Sequence, residues 1–161
     1  MMPVGAHSVR PDNEIFQLLV DEQGSNLLVA NRTIPLCGVP PCLRDRDVIA
    51  ALKRAAGDRY AAFESRNREA IKIPPLRGRV LMESPEVIAR AMDEGGWEEL
   101  HCLYPRTRAI VYFSAPAYVG DDAILYFEEA CDWECGSGWY IRFTRDGKGW
   151  KIVERVDLWV S

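Results

Sequence analysis

The stretch AIVYFSAPAYVGDDAILYFEEACDWECGSGWYIRFTRDGKGWKIVERVDLWVS, Ala109 to Ser161, decides the fold. Four runs within it alternate with period 2: AIVYFSAPAYV, AILYFEEAC, GWYIRFTR and WKIVERVDLWV. GDD, DWECGS and DGKG separate them, and residues of these types turn a chain. The pattern predicts a four-stranded antiparallel meander. Pro116 implies a bulge or an edge in the first strand, since it has no N–H for a ladder.

Alternation also sorts side chains by parity, because successive residues of a strand face opposite sides. Val111, Phe113, Leu125, Phe127, Trp139, Ile141 and Phe143 make a wholly apolar face, which must be buried. Tyr112, Ser114, Tyr126, Glu128, Tyr140, Arg142 and Thr144 make the other. If the second hairpin brings Glu128 near Arg142, the two charges are cross-strand neighbours. An open face of this kind is an aromatic platform for a peptide, a sugar or a partner surface, with Tyr112, Tyr126, Glu128, Tyr140 and Arg142 as its ligand-binding residues. On that reading Tyr140→Ala weakens a partner and leaves the fold intact. The alternatives are a solvated face, or one covered by the chain's own helices.

Upstream the periodicity is helical. PDNEIFQLLVDEQGSN reads as a helix capped by Asp12 or Asn13 and ended by Gly24. Leu27 to Thr33 is a short strand, and Pro35, Gly38, Pro40 and Pro41 force a loop after it. Arg44 to Ala56 and Tyr60 to Ala70 are helices, and Arg79 to Met82 is a second short strand. Ser84-Pro85-Glu86 opens a helix reaching about Glu94, which Gly95-Gly96 separates from a shorter one, WEELHCLY. The expectation is one α+β domain over 1–161: a mainly helical part with two short strands, 1–107, packed on an antiparallel sheet, 108–161.

Composition limits the classes of function. The chain has 161 residues, a net charge of −4 and 48% hydrophobic residues, which suits one globular domain. Its charge argues against nucleic acid as partner, and its longest apolar runs are far short of the roughly 20 residues of a membrane-spanning helix. The start, MMPVGAHSVRPDNE, shows no signal peptide as written. Arg44–Arg79 holds ten basic and five acidic residues, and Glu83–Glu134 three basic and twelve acidic. The two regions face each other or solvent, or the basic one docks an anionic partner.

Five cysteines stand at 37, 42, 102, 131 and 135. Two close pairs with one left over is the arithmetic of an oxidising compartment, with Cys37–Cys42 and Cys131–Cys135 as short-loop disulfides. Each closes a loop of about 5 residues, for about 2 kcal/mol in the chain-entropy model. A zinc site drawing on both pairs is the rival, although C-x4-C and C-x3-C are not the tight C-x2-C knuckle. A redox pair needs a helix after its first thiol, and here a strand follows. Adjacent residues cannot act together, which sets aside His101 with Cys102 and Glu128 with Glu129. No glycine loop leads into a helix as a phosphate site requires. The residues point to no cofactor and no metal.

Ser114, Ala123 to Tyr126, Cys131 to Gly138, Trp139-Tyr140, Gly149-Trp150 and Trp159-Val160-Ser161 form a pattern together with Tyr60 to Asn67 and Trp97 to Pro105. It resembles a group of small uncharacterised bacterial proteins that share a C-x3-C-G-x-G turn and a closing W-V-S. Asp132 stands where that group has glycine, and Ala115-Pro116 also depart from it. The group has no assigned activity, so the resemblance implies a fold and a compartment only. The resulting expectation is a small non-enzymatic binding module, stapled by disulfides and extracytoplasmic (periplasmic or secreted), with a protein or small-molecule partner. Its alternatives are a small hydrolase, using Ser114 or a residue the sequence does not flag, and a zinc-stabilised cytosolic domain.

Overall fold

The structure, a computed structural model, describes residues 11–37, 41–132 and 135–161. The readings made of Gly38, Pro40 and the first ten residues lie outside them. In chain order the elements are α1 (Asp12–Gln23), β1 (Leu27–Ala30), α2 (Arg46–Ala56), a 3-10 turn (Gly57–Arg59), α3 (Tyr60–Arg66), β2 (Val80–Glu83), α4 (Pro85–Leu103), β3 (Ala109–Phe113), β4 (Ala117–Val119), β5 (Asp122–Cys131), β6 (Cys135–Asp146) and β7 (Gly149–Val160). The fold is α+β, but its sheet is not a four-stranded antiparallel meander. It has seven strands in the order β2-β1-β3-β5-β6-β7, with β4 paired to β5, and it is mixed.

Two findings overturn the meander. First, β1 pairs in parallel with both β2 and β3, so the short strands of the helical part extend the sheet. A parallel pair needs a long crossover, and α2, α3 and α4 supply those connections. All four residues of β1 are buried, and a strand covered on both faces shows no alternation. Second, Ser114-Ala115-Pro116 splits the first predicted strand into β3 and β4, which both pair with β5. Proline cannot continue the ladder. The Ser114 hydroxyl fills part of the gap, accepting from Tyr126 N at 2.8 Å, while Ser114 N donates to Tyr126 O at 2.8 Å.

Helices cover both faces. α1 lays Ile15, Phe16, Leu19 and Val20 on the odd face, against Val111, Phe113, Leu125, Phe127, Ile141 and Phe143. The apolar face is therefore buried, as its composition requires. Phe16, Phe113, Phe127 and Trp139 form a chain of rings with centroids 4.9, 5.5 and 5.3 Å apart. On the even face, α2 and α3 bring Val48, Leu52, Ala56 and Phe63 onto Ile124, Tyr126 and Tyr140. α4 packs Ile88, Ala91, Trp97 and Leu100 on Leu28, Ala30 and Ile110.

The caps follow local chemistry. Asp45 caps α2, accepting from Asp47 N at 2.9 Å and Val48 N at 3.1 Å. Ser84 caps α4, and Gly96, at φ 63° and ψ −144°, breaks that helix where the double glycine predicts a separation. α1 departs from its expected cap. Pro11 occupies the N-cap position, and Asp12 instead accepts from Arg66 at 2.7 Å and from the Tyr118 hydroxyl, tying α1 to α3 and β4. Asn67 closes α3. Fully buried, it donates to Phe63 O and Ala115 O (3.1 and 3.0 Å) and accepts from Ala115 N at 2.7 Å, satisfying the backbone of the Ser114–Pro116 break.

Candidate functional site

The five residues of the tyrosine face separate into a buried part and a cleft. Tyr140 is fully buried under α2, and its hydroxyl has no hydrogen-bond partner among the described residues. It is core, and truncating it opens a cavity instead of trimming an exposed platform. Arg142 sits at the far end of the face, bonded to Asp122 (3.2 Å) and Glu154 (3.4 Å), with Arg59 also on Asp122 at 3.0 Å. Arg142 and Glu128 are not neighbours. The β5–β6 register runs unbroken from Asp122↔Thr144 to Cys131↔Cys135, which sets Glu128 opposite Gly138 and Arg142 opposite Ile124. Glu129 faces the other way and meets Arg108 at 3.4 Å.

Tyr126 and Glu128 reach a cleft of about 400 Å³ between the start of α2 and the end of β7. Its lining is Cys42, Leu43, Arg44, Asp45 and Val48 on one side, and Tyr126, Glu128 and Trp159 on the other. Tyr112, opposite Glu128 on β3, stands next to it. The lining from α2 and from β7 was not legible in the sequence, where the cleft would have needed the tertiary packing of two distant segments.

Trp159 is seated there by glycine. Gly138 pairs with Trp159 across β6 and β7, and two register shifts on β7, which skip Val153 and Leu158 and cancel in parity, leave Trp159 on the even face. A Cβ at Gly138 would stand 2.1 Å from Trp159 Nε1 and 2.6 Å from the Tyr126 hydroxyl, and one at Gly136 would stand 3.1 Å from the indole. Ser161 N donates to Gly136 O at 2.9 Å. The G-x-G after the second cysteine and the closing W-V-S are thus two halves of one contact. Two glycines spaced i, i+2 in a strand are the signal for such a close approach.

From the indole a polar relay runs inward. Trp159 Nε1–H donates to the Tyr126 hydroxyl oxygen at 2.7 Å, and Tyr126 O–H donates to Glu128 Oε2 at 2.9 Å. Burial raises the Glu128 carboxyl above its ordinary range, and the Tyr126 hydrogen bond offsets part of that. Burial and the nearby carboxylate push the Tyr112 phenol up to about 12 and raise Tyr126 further. Among the described residues Glu128 has no ion-pair partner, and Arg44 on the rim is exposed and unpaired. Asp45, the second carboxylate of the cleft, has Oδ1 engaged in the cap of α2.

Cys37 and Cys42 stand at disulfide distance, Cα atoms 5.0 Å apart, and so do Cys131 and Cys135, at 5.1 Å. Cys102 is free and exposed. Among the described residues no three His, Cys, Asp or Glu side chains gather as a metal site, and no helix is long and apolar enough to cross a membrane. Ser114, the candidate nucleophile, is buried with its hydroxyl held by Tyr126 N. Comparison with protein-family models, with curated proteins and with solved structures finds no match.

Proposed function

We propose that the chain is a non-enzymatic binding module whose contact surface is the cleft between α2 and the end of β7. One observation carries the reading: the Trp159–Tyr126–Glu128 relay ends at a half-buried carboxylate that lines an open cleft and lacks a counter-ion among the described residues. Leaving a carboxylate this way is unfavourable to folding, and such arrangements concentrate at sites that bind something. A pocket with apolar walls and a few convergent polar groups is the usual form of a ligand site. Catalysis would ask for a second free acid or base beside Glu128, and Asp45 is engaged as a cap.

The indole N–H of Trp159 is the reporter. Screening small amines, amides, sugars and short peptides by ¹H–¹⁵N spectra, with the Trp159 indole peak assigned from Trp159→Phe, should yield ligands that shift it together with Leu43 and Val48 amides. Ligands that map instead to the α1 or α4 face would refute the reading. The module is read as extracytoplasmic, with both cysteine pairs oxidised. Under denaturing, non-reducing conditions one thiol, Cys102, should react, whereas five reactive thiols would overturn that compartment.

A further inference from the structure

We infer that the cleft holds the side-chain ammonium of a lysine on a partner polypeptide, with Glu128 as its counter-ion. This rests on the cleft being the binding surface, and it names the chemistry that surface takes. Three features select it. The carboxylate lacks a cation among the described residues, and the walls beside it are apolar or aromatic: Leu43, Val48, Trp159 and Tyr126. A ligand that fits must bring one positive charge on an apolar stem, and a lysine side chain is four methylenes ending in an ammonium. The indole and phenol rings add a face that attracts a cation.

Oxygen occupancy separates ammonium from guanidinium. Glu128 Oε2 already accepts the Tyr126 hydroxyl at 2.9 Å, so Oε1 alone has no donor among the described residues. A guanidinium binds best as a fork on both carboxylate oxygens, while an ammonium is a point donor that needs one. The rim argues for a polypeptide as the carrier. Arg44 offers donors beside the cleft that are unengaged among the described residues, and Asp45 a negative charge. A lone amine has nothing to set against Arg44, whereas a peptide presents carbonyls within a few ångströms of its lysine stem.

The groups facing Glu128 are Tyr112 on β3, Tyr126 on β5, and Arg44 and Asp45 before α2. Only ionised Glu128 attracts the ammonium, so affinity rises with pH through the raised titration of this carboxyl and levels off above it. The two phenols stay neutral below their raised values.

The test follows the Trp159 indole peak during titration of the full chain with N-acetyl-lysine methylamide, the norleucine and arginine analogues, and n-butylammonium. Glu128→Gln, which keeps the shape and has its folding checked by a thermal melt, is titrated alongside. The expected result is a lysine affinity in the millimolar range, at least roughly tenfold tighter than norleucine, with that preference lost in Glu128→Gln. Norleucine binding as tightly, or a lysine preference that survives Glu128→Gln, overturns the ammonium and leaves the cleft reading standing. Arginine binding tighter than lysine overturns the point-donor argument, and butylammonium matching lysine makes the occupant a free amine. No shift from any probe overturns the inference, while the cleft reading stands or falls on the wider ligand screen.

Discussion

Gly138→Ala should be among the most damaging single-methyl additions in this chain. The new Cβ would lie 2.1 Å from Trp159 Nε1, 2.7 Å from its Cδ1 and 2.6 Å from the Tyr126 hydroxyl oxygen, all inside contact distance. Tyr126 is buried and cannot retreat, so the indole must lift off β6. Overpacking of this kind costs about 1–3 kcal/mol, and the lost Trp159–Tyr126 hydrogen bond about 0.5–1.5 kcal/mol more. Replacing glycine returns about 0.4–1 kcal/mol through the unfolded chain. The net is a loss of about 0.5–4 kcal/mol, or roughly 1–16 °C in Tm at this chain length. Urea unfolding followed by far-UV circular dichroism measures it, with Gly147→Ala as control, since a Cβ there meets nothing within 4 Å. Trp159→Ala should relieve more than half of the Gly138→Ala cost, because only the Tyr126 contact then remains. A Gly138→Ala protein within about 0.5 kcal/mol of the parent, or a loss unchanged by Trp159→Ala, would refute the seating of the indole on glycine.

Asn67→Ala strands the N–H and C=O of Ala115 in the interior, and should cost about 2–4 kcal/mol by urea unfolding; a neutral result would mean water replaces the amide. Tyr140→Phe removes a buried hydroxyl that has no partner among the described residues, so the variant should be equal to the parent or about 1 kcal/mol more stable, and a loss above about 1 kcal/mol would reveal a bond to the hydroxyl. For Glu128 the sign is set by its raised native carboxyl. The folded chain binds the proton more tightly than the unfolded one, so this group's contribution falls as pH rises from the unfolded value of about 4.3 through the native one. Unfolding free energies measured from roughly pH 4 to 8 should therefore show Glu128→Gln gaining on the parent with rising pH, and parallel curves would contradict the raised carboxyl.

Much of the fold was legible because it rests on local pattern. The odd face from Val111 to Phe143 is one-sided and apolar, and its burial follows from that alone. Gly24, Ser84 and Gly96 carry their turns in their own chemistry. The parallel strands were another matter. Leu27–Ala30 and Val80–Glu83 are four residues each, and nothing in so short a run tells which edge it joins. The site was half legible. Parity picked out Tyr126 and Glu128 and put Arg142 on the same face, but whether Arg142 stands beside Glu128 depends on register, which alternation does not carry. Trp159 escaped for the same reason: its place opposite Gly138 depends on two skipped residues on β7 that the pattern does not show.

The position of β1 also sets the order in which the chain can assemble. β3 to β7 are joined by short turns, so their ladder closes small loops and forms from near neighbours. β1 lies between β2 and β3, and its partners Val80–Glu83 and Ala109–Val111 are about fifty and eighty residues away in sequence. Its pairing is entropically the most demanding step in the sheet, and such contacts slow folding. During synthesis Leu27–Ala30 emerges long before either neighbour exists: this apolar strand has no partner until residue 83 has been made, and its second edge none until residue 111. α1, joined to β1 by three residues and carrying Ile15, Phe16, Leu19 and Val20, is the nearest apolar surface available to it in that interval.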